Sequence, residues 1–209
     1  MALVIKGSTS GQITVDVPAS AGTNTITLPA STFTVPTEGA NFVRLAGETL
    51  SADASSIEIS ASTLTTSYKN YEIYADLQPK TDGQQVFLRL RDNSATILNT
   101  VSDFQMQAYR GGGTDFSDTT MSALTSITGV GNASDEHAVC RFTIGALRDS
   151  AKNTQIIFQM SGNTTAGSIF TTYGSFQTNT AEDNQGIQLT FASGDIASGS
   201  SYVLYGVNN

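Results

Sequence analysis

No window of this 209-residue chain keeps an apolar period of 3.6 residues for three or four turns; strict alternation recurs instead. It appears at Ile57 and Ile59; Tyr71, Ile73 and Leu77; Val86, Leu88 and Leu90; and Phe104, Met106 and Ala108. Further on it returns at Cys140, Phe142 and Ile144; Ile156, Phe158 and Met160; Ile187, Leu189 and Phe191; and Tyr202 with Leu204. Each run puts its oily side chains on one side of an extended segment and leaves the other side to water, so the chain must build from half-buried strands. The breaks carry turn chemistry: PKTDGQQ with Asp82-Gly83, RDNSAT with Asn93, RGGGTD from Arg110, MSGNTT with Gly162-Asn163, and SGDIASGS. Asp82-Gly83 is the strongest local hairpin signal and predicts antiparallel pairing of the strands on either side. The fold class expected is all-β: an antiparallel two-sheet β-sandwich, jelly-roll-like because a jelly roll uses about eight strands. Helix is limited to a turn or two near AGETLSADA or DFSDTTMSALTS.

The first part of the chain is built differently. Ile13, Val15 and Val17 alternate, then Ile26 and Leu28, and Pro18, Pro29 and Pro36 all fall before residue 40. Proline removes a ladder donor, so this span reads as edge-like ribbon rather than central strand. The expected organisation is an N-terminal extended β-ribbon arm over residues 1–50 and a sandwich domain over 51–209. Ile5, Ile13, Val15, Val17, Ile26, Leu28, Pro29 and Phe33 are the arm's apolar contacts, and Phe42 and Leu45 lie at the joint, docking on the domain or on a neighbour. A two-stranded ribbon with one oily face is at best marginally stable in water. The arm therefore calls for support, from the rest of this chain or from another protein.

Charge narrows the partners. The net charge is −8, and the ten Lys and Arg residues are scattered, whereas a nucleic-acid partner needs clustered cations to release counterions. The same acidity opposes an anionic membrane surface, and no apolar run approaches the roughly 20 residues that span a bilayer. MALVIKGSTSG has no charged n-region followed by an apolar h-region, so a chain folding where it is made is expected. Charged residues are only 13% of the total, Ser, Thr, Asn and Gly are abundant, and surface polarity comes from hydroxyls and amides. The single cysteine, Cys140, alternates with Phe142 and Ile144 and reads as a small buried hydrophobe.

Catalytic chemistry is thin. His137, the lone histidine, sits in SDEHAVC, and its odd spacing from Cys140 points the two side chains to opposite faces of a strand. One His and one Cys do not make a zinc site, and TAEDNQG around Glu182, Asp183 and Asn184 lacks the alternating carboxylates of a calcium loop. Gly111 to Gly113 is not followed by Lys-Ser or Lys-Thr, so it suits a strand reversal rather than a phosphate cradle. The triplets at Asn132 and Asn163 match the glycosylation pattern by chance in so Asn-, Ser- and Thr-rich a chain. Without Trp there is no strong platform for a glycosidase cleft. The chain is read as a non-enzyme with no cofactor and no metal. Tyr109, Arg110 and Phe116 are candidate exposed contacts for a receptor or a subunit; Tyr173 and Phe176 stand beside them as aromatic positions suited either to sugar stacking or to packing.

The opening stretch IKGSTSGQITVDVPASAGTNTITLPAST resembles a segment at the N-termini of structural proteins of tailed bacteriophages of cyanobacteria and marine bacteria. YEIYADLQPKTDGQQVFLRLRD and the terminal SSYVLYGV are similar to the β-sandwich that ends many of those proteins. The resemblance implies a virion component assembled in a bacterial cytoplasm, its partners other capsid or tail proteins, and a homotrimer as its assembly. Two roles follow: a head decoration or cement protein that clamps the capsid through its arm, or a short tail fibre whose terminal domain reads a host-surface glycan. A fibre needs a shaft, and the chain has neither heptads nor a repeated ribbon, so decoration is preferred. A free carbohydrate-binding lectin is the remaining alternative.

Overall fold

The computed structural model describes residues 3–6, 12–15, 42–111, 114–126 and 128–207. The chain divides into two compact units, Met1–Pro36 and Thr37–Asn209. In the first, β1 (Leu3–Lys6) and β2 (Gln12–Val15) pair antiparallel, with Ile5 opposite Ile13 and Leu3 opposite Val15. The run Ile13, Val15 thus finds its partner upstream, in LVIK. Val17, Ile26, Leu28, Pro29 and Phe33 lie outside the described residues.

The second unit is an antiparallel β-sandwich, and no helix occurs among the described residues. Its strands are β3 (Phe42–Thr49), β4 (Ile57–Ile59), β5 (Asn70–Leu77), β6 (Val86–Arg91), β7 (Phe104–Arg110) and β8 (Thr114–Met121). They continue as β9 (Leu124–Thr125), β10 (Ala138–Gly145), β11 (Gln155–Asn163), β12 (Ile169–Thr178), β13 (Gly186–Phe191) and β14 (Ser201–Val207). The larger sheet has the order β3-β14-β5-β10-β11-β12-β7-β8, and the smaller β4-β13-β6-β9.

One hydrophobic core fills the space between the sheets. Ile73, Phe142, Phe158 and Phe176 of the larger sheet join Ile57, Leu88 and Leu189 of the smaller, and Leu64, Leu147 and Ile196 close it from the loops. Phe104 and Phe176 stack at a centroid distance of 4.6 Å. The period of two fixes which face each side chain takes, because a slip by one residue would turn the whole apolar set out to water.

Several local expectations change. Phe42–Thr49 is not arm but the edge strand of the larger sheet, paired along β14, and Leu45 packs partly buried on the core. The domain therefore begins before residue 50. Asp82-Gly83 does turn the chain, with Gly83 at φ +70°, yet β5 and β6 do not pair. The connection is long enough to cross between sheets, and other loops capture its backbone: Lys80 N donates to Asp195 O at 2.9 Å, and Gln84 and Val130 form a bridge. Neither predicted helical turn forms: AGET lies in β3 and DFSDTTM in β8. Gly162-Asn163 ends β11, and the reversal comes just after it, where Thr164 N donates to Ser168 O.

Candidate functional site

Among the described residues, the outer face of the larger sheet gathers most of the large exposed apolar side chains. Of the eight large hydrophobics exposed among the described residues, all but Val101 fall on it: Tyr74, Tyr109, Val139, Ile157, Ile169 and Tyr173, with Phe42 at the edge. They come from β3, β5, β7, β10, β11 and β12, so sheet order gathers what the sequence scatters. Exposed apolar area grouped on one face marks a contact surface more often than area scattered singly does.

Two clusters organise it. In the first, the Glu72 carboxylate lies buried on the outer side of β5 and is held from three directions. Arg141 Nη2 donates to both oxygens at 3.1 Å, Tyr74 OH donates at 2.6 Å, and Thr143 Oγ1 lies 3.5 Å away. The Arg141 guanidinium carbon is 5.4 Å from the Tyr74 ring centroid, and Tyr205 meets Tyr74 and Phe42 edge to face at 6.2 Å. Its hydrogen bond to Glu72, followed by desolvation, pushes the Tyr74 phenol above its ordinary pKa. A buried carboxylate persists when its lone pairs are satisfied in this way, and it fixes the guanidinium and both rings above it.

In the second cluster Tyr109 of β7 and Tyr173 of β12 are direct cross-strand neighbours. Their rings stack at 5.5 Å with planes 23° apart, and they remain 37% and 51% exposed. Between this pair and Arg141 lies a depression of about 680 Å³ lined also by Gln107, Thr143, Ile157, Gln159 and Ser175. Gly174, between Tyr173 and Ser175, lets β12 and β7 approach closely: a Cβ there would meet the Gln107 carbonyl oxygen at 2.2 Å.

Of the contacts predicted from sequence, Tyr109 is a centre of this face and Arg110 is exposed at the end of its strand. Phe116 is not an exposed contact: its register opposite the buried Ala108 puts it on the inner face, partly buried against the core. Phe176 is core, whereas Tyr173 is surface. Phe42 is exposed on the outer face and Leu45 on the inner. Arg141, Glu72 and the glutamines carry no local signal in the sequence; only their cross-strand neighbours single them out.

The residues that invited a catalytic reading are placed as follows. Cys140 is 1% exposed on the inner face, and burial, with the nearby Asp76 charge second, pushes its thiol up to about 12. A thiol held protonated in apolar packing is a poor nucleophile. His137 Nδ1 lies 2.5 Å from Asp76 Oδ1, and both side chains are about half exposed. Among the described residues no group of three or more His, Cys, Asp or Glu converges on a point where a metal could sit, and no helix is long and apolar enough to cross a membrane.

Fold and site together define an all-β sandwich that presents one tyrosine- and glutamine-bearing sheet face, preceded by a unit, Met1–Pro36, in which β1 pairs with β2. No protein-family model, curated protein or solved structure matches the chain.

Proposed function

We propose that this chain is a non-enzymatic structural protein of a tailed-bacteriophage virion, a head decoration protein that clamps the capsid through its N-terminal segment. The observation that carries the reading is the division of the chain: a small hairpin unit, Met1–Pro36, precedes a sandwich that has its own continuous core. A two-stranded sheet of four-residue strands buries too little to persist alone, so its stability comes from what it docks on. Symmetric assembly supplies that support, and a homotrimer is the assembly expected. The similarity of GSTSGQITVDVPASAGTNTITLPAST to phage arm segments adds the kind of particle.

A short tail fibre is the second reading, favoured by the exposed aromatic face of the larger sheet, which suits a receptor-facing domain. Gold-labelled antibody against the sandwich, applied to purified particles, separates the two. Decoration gives label spread over the head; a fibre gives label at the tail; particles free of label exclude both.

A further inference from the structure

We infer that the depression between the Tyr109–Tyr173 pair and Arg141 binds a neutral oligosaccharide. The two tyrosine rings, nearly parallel and about half exposed, offer an apolar surface on which the C–H face of a sugar ring can lie while its hydroxyls point sideways. Around them the side chains of Gln107, Gln159 and Ser175 make no hydrogen bond to the described residues, nor do the two phenol hydroxyls. Arg141 commits Nη2 to Glu72 and keeps its other donors free. Each free amide both donates and accepts, which matches adjacent sugar hydroxyls that do the same.

Charge selects the ligand further. No carboxylate lines the depression, although the chain carries a net charge of −8, and its one cation is already neutralised by the buried Glu72. An anionic glycan therefore gains little there, and a neutral one meets no repulsion. The volume of about 680 Å³ falls within the roughly 300–1,000 Å³ usual for small-ligand sites. A second copy of the chain is a weaker fit, because it would have to find a partner for every free amide and hydroxyl it covered. The inference stands apart from the virion reading: a decoration protein, a fibre or a free lectin could each use the face.

The test is binding of purified full-length chain to an array of immobilised gluco-, galacto- and manno-oligosaccharides beside sulfated and sialylated counterparts, followed by calorimetric titration of any neutral hit. Expected are binding to at least one neutral series, a loss of tenfold or more in affinity for Tyr173→Ala and for Gln159→Ala with unchanged melting, and retention in Tyr173→Phe. Silence on every neutral series, binding confined to anionic glycans, or affinity unmoved by Tyr173→Ala in a folded variant overturns the inference. Sedimentation of the same proteins adds one contrary result: a sugar-blind wild type whose oligomer falls apart in Tyr173→Ala assigns the face to a second copy.

Discussion

Asp183 and Arg148 form an ion pair that ties the stability of the sandwich to pH. Arg148 Nε donates to Asp183 Oδ1 at 2.6 Å, both groups are largely shielded, and Arg148 also reaches the Leu64 carbonyl. The guanidinium holds the Asp183 carboxyl below its ordinary range. A carboxyl whose folded pKa is lowered contributes stability fully present above its unfolded value near 4 and lost as pH falls through the lower folded one. Asp183→Asn should therefore cost about 1–3 kcal/mol at pH 7, and chemical denaturation repeated towards pH 3 should show the gap to wild type closing. A constant gap would mean that Asp183 acts by packing alone. The Cys140 thiol, raised to about 12 and sealed in the core, should ignore thiol reagents at pH 8 in the native protein and react on unfolding; labelling followed by mass spectrometry reads this directly.

At the level of strands, Gly174 has the closest neighbour of the described strand glycines. A Cβ would press on the Gln107 carbonyl and on Ala108 across the β12–β7 ladder, so Gly174→Ala should destabilise by about 1–3 kcal/mol and disturb the tyrosine pair. Thermal melting and near-ultraviolet circular dichroism of the variant check both effects; a wild-type melt would show that the strands part without cost. The runs at 57–59, 71–77, 86–90, 104–108, 140–144, 156–160, 187–191 and 202–204 all became strands because each alternates apolar side chains over one buried face. Less legible were β8, an edge strand whose apolar members are sparse, and β12, where Thr172 and Thr178 occupy buried positions that an apolar pattern would reserve for hydrocarbon. β3 was legible as apolar but not as sandwich, since its pairing with β14 joins the two ends of the domain. The same limit hid the site: Tyr109 and Tyr173, or Glu72 and Arg141, meet only through strand order, which no local period encodes.

In the whole molecule, alternation beneath a hydroxyl-rich surface gives the second unit a sandwich with one core, and the β1–β2 pair falls in a unit of its own. Light scattering of the full chain should give the mass of a trimer; a monodisperse monomer would remove the symmetric assembly from the proposal. The decisive comparison is between the full chain and a variant lacking residues 1–36, each followed for its melting transition and for co-purification with phage particles. The truncated protein should keep a cooperative melt and be lost from the particles. A truncated protein that still joins them would contradict an assembly role for the N-terminal unit.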